Sequence, residues 1–345
     1  MIFSSEMKRA SYQSMIQAFA LAAIVLSVAF TGVQIAQARE TPGYRAISVP
    51  VIPEKISEHV WFVRGLTGMV SSVNEGFNSN AAFVVTDQGV VVFDALGTAA
   101  LGYELRRQIE LITDKPIVKV VISHYHSDHF YGLEAFRSNP QGDPPEILAH
   151  RAVAAYLQTP APAARLVERR QSLAPWVTQQ TQVIAPDRYI DSRESFTLGG
   201  VRFELRPAGP GHTPEDLTML VQPDGVLMVG DLVVAGRIPF VGEADSGSWL
   251  EAIDHLSDAA PQVIVPGHGP VSHHAVADLD LTRQYLTFVR EAMARAVDEL
   301  QSFDEAYAMT DWSRFEKLPA FTGANRINAY NVYLQMEQKT LNPSQ

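Results

Sequence analysis

Four metal-ligating side chains follow an apolar run within one short segment, Ser-His-Tyr-His-Ser-Asp-His. Residues 117–122, directly before it, are almost wholly apolar, which is typical of a strand buried on both faces. In an extended chain His124 and His126 point the same way, so both can face one ion. Asp128 and His129 follow in the turn and can reach a second ion. The chain must therefore fold so that a buried strand ends at a cluster of metal ligands.

Three more candidate ligands appear downstream, each preceded by a glycine at the end of a predicted strand. His212 stands in Gly-His-Thr-Pro, Asp231 in Gly-Asp-Leu and His268 in Gly-His-Gly. A single histidine after a strand is more often structural than metal-binding, but three such positions in order complete the set begun above. The sequence therefore predicts one metal centre built from both halves of the chain.

The order of strands and helices repeats between the two halves. Residues 90–94, a helix and a strand ending at His124 parallel residues 226–231, a helix and a strand ending at His268. This repetition predicts an α/β protein with two mixed sheets packed face to face and helices outside. Strands are predicted at residues 59–64, 81–86, 90–94, 117–122, 146–149, 195–198, 201–205, 216–221, 226–229 and 263–266. Helices are predicted at residues 98–112, 133–137, 248–260 and 275–300, with a further one starting at residue 151.

Composition restricts the ligands and the partners. The 345 residues include no cysteine, so a metal must be held by histidine and carboxylate. The formal net charge of −11 disfavours nucleic acid as a partner, because nucleic-acid binders need a basic face to displace counterions. A small molecule is the expected substrate, and no pattern predicts an oligomeric state.

The N-terminus has the features of a secretory signal peptide. Lys8 and Arg9 precede an apolar run at residues 18–33, which ends in Ala36-Gln-Ala38. Cleavage is predicted after Ala38, which would give a periplasmic or secreted protein with no stable membrane insertion. A retained anchor is the alternative, although the run is shorter than the ~20 residues that a bilayer span requires.

The rest of the chain divides into three predicted parts. Residues 39–58 contain several prolines and little periodicity, and they predict an extended lead-in rather than a packed element. The main domain is predicted at residues 59–300, and residues 301–345 as a C-terminal helical extension packed on it. Within the domain, the Gly-, Ser- and Asn-rich residues 65–80 predict a mobile flap.

The H-x-H-x-D-H segment and the order of the downstream ligands resemble the metallo-β-lactamase superfamily. The resemblance spans roughly residues 59–269 and implies an αββα sandwich. It also implies that His124, His126 and His212 hold the first metal. Asp128, His129 and His268 would then hold the second, with Asp231 bridging the two ions. Such nitrogen-rich, sulfur-free ligation suits two Zn²⁺ per chain, and iron or manganese would also accept it.

The resemblance implies a hydrolase. Two cations that share one water lower its pKa toward neutrality, so the site needs no serine or cysteine nucleophile. The predicted reaction is attack on the carbonyl of a small ester or thioester, with Asp128 as the catalytic residue that orients the nucleophile.

Several motifs distinguish branches within this superfamily. The absence of cysteine excludes lactamase subclasses with a thiolate ligand, and Asp231 favours the glyoxalase II-like hydrolases. His212-Thr-Pro-Glu215 departs from the glyoxalase pattern, and no basic cluster for glutathione carboxylates is evident. Thr113-Asp-Lys-Pro-Ile117 and Val265-Pro-Gly-His-Gly269 resemble the quinoprotein relay system zinc metallohydrolases. A true metallo-β-lactamase and a mononuclear iron persulfide dioxygenase-like oxidoreductase stay as alternatives.

Loops near the metal-bearing strand ends are the expected source of substrate contacts. The candidates are Phe77 in the flap, Arg237, Phe240 and Trp249 after Asp231, and residues 321–330 near the C-terminus. For each of them ordinary packing is the more common role of such a side chain.

Overall fold

The computed structural model describes residues 43–137, 143–273 and 275–341. The predicted signal peptide, residues 1–38, lies outside these ranges. From Tyr44 onward the chain forms one compact unit. No helix in the described ranges is long and apolar enough to span a bilayer.

The first sheet has seven strands in the order β1-β2-β3-β4-β5-β6-β7. The pairs from β1 to β4 are antiparallel, and those from β4 to β7 are parallel. The strands are β1 (Pro53–Lys55), β2 (Val60–Val63), β3 (Ala81–Thr86), β4 (Gly89–Phe93), β5 (Ile117–Val121), β6 (Glu146–His150) and β7 (Arg188–Ile190).

The second sheet has five strands in the order β12-β11-β10-β9-β8. All of its pairs are antiparallel except β11 with β12. The strands are β8 (Glu194–Leu198), β9 (Val201–Pro207), β10 (Leu217–Gln222), β11 (Val226–Val234) and β12 (Val263–His268).

Helices cover the outer faces of both sheets. The first group is α1 (Ala99–Ile112), α2 (Ser127–Phe130), α3 (Leu133–Arg137), α4 (Val153–Gln158) and α5 (Ala161–Ser172). The second group is α6 (Ser246–Leu256), a 3-10 turn (Ser257–Ala259), α7 (Ala275–Asp298), α8 (Phe303–Met309) and α9 (Phe321–Leu341). Helix α1 begins where the Thr98 side chain accepts a hydrogen bond from Leu101 N at 3.2 Å.

Alternation along the strands divides the core into three apolar layers. In β4, Val91 and Phe93 face the second sheet, whereas Val90 and Val92 pack in the layer under the first group of helices. In β11, Val226 and Met228 face the first sheet, and Leu227 and Val229 pack under α6 and α7. The predicted sandwich of two mixed sheets between helices is confirmed.

The internal repeat is also confirmed. The β4–α1–β5 and β11–α6–β12 segments are both parallel β-α-β units, one in each sheet. The carboxyl ends of β5 and β12 therefore lie at corresponding places in the two halves.

Two strands, two helices and one boundary differ from the sequence pattern. The helices are α2 and α5, which the sequence did not predict. The lead-in contains β1, which pairs with β2, and Val51 before it is only 3% exposed. This part of the lead-in is therefore packed. Its prolines suggested an irregular segment, but a short edge strand tolerates proline. Strand β7 follows a Pro- and Gln-rich stretch and has no clear alternation. Strand β11 runs on to Val234, so Asp231 lies inside a bulged strand and not at its end.

Candidate metal centre

All the predicted ligands meet where the two sheets come together. His124 and His126 follow β5, and Asp128 and His129 lie in α2. The second sheet contributes His212 from the β9–β10 loop, Asp231 from β11 and His268 from the end of β12. Their potential ligand atoms form two groups, each within 4.8 Å. One group is His124, His126, His212 and Asp231, and the other is Asp128, His129 and His268.

Asp231 faces both groups. Its Oδ2 lies 3.5 Å from His212 Nε2 and 3.2 Å from His268 Nε2, and its Oδ1 lies 3.3 Å from His129 Nε2. A carboxylate between two ligand sets has the geometry required of a bridging ligand.

Several polar atoms at this centre have no hydrogen-bond partner among the described residues. They include His124 Nε2, His129 Nε2 and Asp231 Oδ1, all buried. Buried polar atoms are almost always paired, so ligand atoms left without a partner in both groups fit bound metal ions. The residues present therefore suit the metal that the ligand pattern predicts.

The opposite ring nitrogens of three histidines are fixed by neighbours. His129 Nδ1 lies 2.9 Å from Asp94 Oδ2, and His124 Nδ1 lies 2.9 Å from Ser123 Oγ. Ser123 Oγ donates in turn to Asp94 Oδ2 at 2.8 Å. His268 Nδ1 lies 2.6 Å from the carbonyl oxygen of Asn78. Such contacts fix the ring orientation and tautomer of a metal ligand.

Burial sets the protonation of the histidines in the first group. It lowers the pKa of His124 well below its usual value, of His126 to about 3 and of His212 to about 4. Neighbouring imidazoles add to this effect. These rings are therefore neutral at pH 7, which is the form that binds a metal.

The carboxylates are ionised although burial opposes their charge. His129 and His268 hold the pKa of Asp128 at about 2, and they hold that of Asp231 well below its usual range. Burial also opposes the charge on His129, but Asp231, Asp128 and Asp94 raise its pKa well above the usual value. A bound cation would take the place of that proton.

Glycines allow the strands to approach at the centre. Gly230 has φ +55°, and a Cβ there would lie 2.6 Å from Ser123 Cβ. At Gly267 a Cβ would lie 1.9 Å from Asp231 Oδ1. A side chain at Gly267 would therefore displace the bridging carboxylate.

A family model described as metallo-beta-lactamase superfamily matches residues 74–268, more than half of the 345 residues. The chain belongs to the metallo-β-lactamase superfamily. Among curated proteins, a metallo-beta-lactamase type 2 from Elizabethkingia meningoseptica is 23% identical over 76% of this chain and 94% of its own length. A linear primary-alkylsulfatase from Pseudomonas is 22% identical over 63% of this chain and 47% of its own length. Hydrolases of different substrates are thus among the relatives.

Solved structures show the same fold. A metallo-beta-lactamase from Pontibacter korlensis superposes with a TM-score of 0.54 at 23% identity, covering 69% of this chain and 99% of its own. A stereoselective inverting sec-alkylsulfatase from Pseudomonas superposes with a TM-score of 0.65 at 19% identity, covering 82% of this chain and 50% of its own.

The superfamily ligands are supported by residues that the motif does not include. Asp94 was not predicted as a residue of the site. It follows β4 directly, and β4 corresponds to β11, the strand that carries Asp231. Asn78 Nδ2 donates to Asp128 Oδ2 at 3.1 Å. Asn80 donates from its backbone N to Gly267 O at 2.8 Å and from Nδ2 to Pro266 O at 2.8 Å. These asparagines tie the base of the flap to the His268 strand.

Two of the candidate substrate contacts pack in the core instead, as the alternative for them expected. Phe77 is fully buried in the core layer beneath the first group of helices. Trp249 is also fully buried, with its ring 4.8 Å from that of His212 and Nε1 donating to Leu232 O at 3.0 Å. Both rings are therefore closed to substrate, and the Trp249 ring supports His212. Phe240 is half-buried, and Arg237 is 7% exposed.

The flap has hydrogen bonds at its base and an exposed tip. Gly65 N donates to Asn80 Oδ1 at 3.0 Å, and Leu66 N donates to Phe77 O at 2.9 Å. At the tip Met69 is 40% exposed and Val73 is 89% exposed. The mobility of this segment stays a prediction.

Proposed function

We propose that this superfamily hydrolase is a periplasmic enzyme with two zinc ions that cleaves a small ester or thioester. The observation that carries the proposal is the position of Asp231, within 3.5 Å of ring nitrogens from both ligand groups. A carboxylate shared in this way supports two metals rather than the single iron of a persulfide dioxygenase-like enzyme.

The described residues account for the chemistry as follows. His124, His126 and His212 would hold one zinc, Asp128, His129 and His268 the other, and Asp231 would contact both. Bound zinc would lower the pKa of a water molecule and polarise the substrate carbonyl. Asp128 keeps its charge, because its pKa is about 2, and it is held in place by Asn78 Nδ2. We therefore assign Asp128 the role of accepting a hydrogen bond from the nucleophile and orienting it.

Turnover of a substrate panel by the zinc-loaded protein tests the proposal. The panel contains a small thioester, a carboxylic ester, a chromogenic cephalosporin and an alkyl sulfate, and zinc content is measured on the same sample. We expect thioester or ester hydrolysis that is lost in His126→Ala. The control is His255→Ala, since the His255 side chain is 81% exposed on α6. A protein with two zinc ions that hydrolyses neither ester would contradict the proposal.

A true metallo-β-lactamase is the second candidate. It is favoured by the relative from Elizabethkingia, 94% of whose length is covered by the match. Cephalosporin turnover with kcat/KM of about 10⁴ M⁻¹ s⁻¹ or more, absent from His126→Ala, would establish this candidate in place of the first.

The location is proposed from the N-terminal sequence. Lys8, Arg9, the apolar run and Ala36-Gln-Ala38 support export and cleavage after Ala38. N-terminal sequencing of the protein from a periplasmic extract should therefore begin at Arg39. Recovery of the uncleaved chain in the membrane fraction would support the anchor instead.

A further inference from the structure

A cavity of about 490 Å³ opens on the outer face of the second sheet, beside α6. Its volume falls within the range of about 300–1,000 Å³ that is typical of small-molecule sites. Its floor is apolar and comes from β11, α6 and the start of the β9–β10 loop, with the side chains of Leu227, Ala252, Leu256 and Ala208. None of the candidate metal ligands lines this cavity, so it is a separate place in the fold.

The neighbouring strand β9 supplies a cationic wall. Phe203 and Leu205 of this strand face the first sheet, so Arg206, which follows them in the alternation, lines the cavity on the outer face. The Arg206 side chain is 19% exposed, and its Nε donates to the carboxylate of Glu204. Its two Nη atoms donate no hydrogen bond within the described ranges. The cavity therefore holds a partly buried guanidinium with donors to spare.

Positive charge at this wall exceeds the negative charge that balances it. Glu204 is 5% exposed, and three guanidinium groups lie within ion-pair distance of it, those of Arg206, Arg193 at 2.5 Å and Arg202 at 3.9 Å. The one acid that lines the cavity is Asp258, and its side chain is 77% exposed, so water screens its charge. One carboxylate cannot balance three cations. The wall therefore favours an anion, although the whole chain has a net charge of −11.

The cavity borders the loop that holds His212. Ala208 and Gly209, which begin this loop, line the cavity. Ala252 of α6 lines it as well, and a Cβ at Gly211 would lie 3.2 Å from the Cβ of Ala252. An occupant of the cavity would therefore contact the His212 loop without reaching the metals.

We propose that this cavity binds a small carboxylate that carries a short alkyl chain. The planar guanidinium of Arg206 matches the two carboxylate oxygens and gives charge-assisted hydrogen bonds. The apolar floor removes the alkyl chain from water, which adds affinity in proportion to the area buried. The proposal is independent of the proposed function, because the cavity contains no candidate metal ligand.

Isothermal titration calorimetry of the zinc-loaded protein with hexanoate tests the proposal. Hexanamide has the same chain without the charge, and acetate has the charge without the chain. We expect one saturable site for hexanoate, with a Kd about tenfold or more lower than that of either comparison compound. In Arg206→Gln the Kd of hexanoate should rise about tenfold, with that of hexanamide unchanged. Arg202→Gln is the matched control and should bind as the wild type does, since Arg202 also contacts Glu204 but does not line the cavity.

Two further variants locate the binding site. Ala259 lines the cavity, so Ala259→Phe should fill part of it and abolish hexanoate binding, whether or not Arg206→Gln folds. His126→Ala alters the metal centre and should keep hexanoate binding. The proposal is overturned if the wild type shows no saturable hexanoate binding, or if hexanoate and hexanamide bind equally. It is also overturned if hexanoate binding is lost in His126→Ala but kept in a folded Ala259→Phe protein, because the carboxylate would then bind at the metals.

Discussion

At the scale of single residues, the centre depends on groups that orient the candidate ligands without being ligands themselves. Asp94 is 2% exposed and accepts hydrogen bonds from the backbone N and the Oγ of Ser123, each at 2.8 Å. It also contacts His129 Nδ1. One carboxylate therefore orients His129 directly and His124 through Ser123.

Replacing Asp94 should weaken metal binding without removing a ligand. In Asp94→Asn the charge beside His129 disappears, and we expect zinc affinity to fall by about 10–100-fold. Competition with a chromophoric chelator measures the change. The exposed Asp87 provides a matched control, and Asp87→Asn should bind zinc as the wild type does. Unchanged affinity in Asp94→Asn would contradict the assigned role.

The buried histidines should make the metal-free protein sensitive to mild acid. His126 has a folded-state pKa of about 3 and His212 of about 4, against about 6.5 in an unfolded chain. The unfolded state therefore binds more protons, so stability is present above about pH 6.5 and is lost as the pH falls toward 4. His129 acts in the opposite direction, because its raised pKa gives stability that is lost as the pH rises. Asp216 acts with His129, because burial raises its pKa to about 8. The three lowered histidines, including His124, outnumber these two groups.

Melting temperatures of the chelated protein between pH 7 and pH 5 test this balance. We expect Tm to fall as the pH is lowered, with a shallower slope in His126→Ala. A metal-free protein that is as stable at pH 5 as at pH 7 would show that the buried rings do not control this range.

At the scale of elements, α9 supports the loop between β11 and α6. Asn328 is fully buried. It accepts a hydrogen bond from Val241 N at 2.8 Å and donates to Pro239 O at 2.7 Å, both in that loop. It also donates to the Tyr285 hydroxyl at 2.9 Å. Asn331 and Gln335, one and two turns further along α9, also donate to carbonyl oxygens of the loop. The C-terminal helix thus fixes the segment that follows Asp231.

Truncating the Asn328 side chain should destabilise the protein measurably. Asn328→Ala leaves the Val241 N–H and the Pro239 carbonyl without partners, which costs about 1–3 kcal/mol for each buried group left unpaired. Urea denaturation should record the loss as a lower midpoint. Gln338→Ala, at an exposed position of the same helix, should leave the midpoint unchanged. Equal midpoints for the two variants would mean that the loop is held by other contacts.

Elements with local signals were predictable, and those made by distant contacts were not. The strands at residues 81–86 and 90–94 are rich in apolar, β-branched residues, and Thr98 is a typical first residue for the helix that follows it. All three elements were therefore predicted. Strand β1 exists because β2 pairs with it, and this pairing has no signal in the lead-in. The ligand histidines cluster in short motifs, whereas Asp94 and Asn78 become recognisable only when the fold brings them to His129 and Asp128.

At the scale of the whole molecule, the metal centre joins the two sheets. The first sheet supplies His124, His126, Asp128 and His129, and the second supplies His212, Asp231 and His268. Hydrogen bonds cross nearby, including Leu217 N to Ser123 O at 2.8 Å. A bound metal would therefore cross-link the halves in the native state and not in the unfolded chain.

Zinc should accordingly stabilise the whole fold. A ligand that binds the native state alone adds about 2.7 kcal/mol when its free concentration is a hundred times Kd. Differential scanning calorimetry should therefore give a higher Tm with zinc than with chelator, and the rise should be much smaller in Asp231→Asn. The reference is His255→Ala, which should show the full rise. A wild-type Tm that does not respond to zinc would contradict the cross-link.

The spread of ligands over both sheets also has a consequence for how the protein matures. The ligands from His124 to His129 lie within one short segment, whereas His212, Asp231 and His268 can reach them only when the second sheet is formed and docked on the first. Nitrogen and oxygen ligands discriminate weakly among divalent metals, so the supply of ions at that moment decides which is taken. We therefore expect the ions available where folding finishes to decide which metal the centre holds.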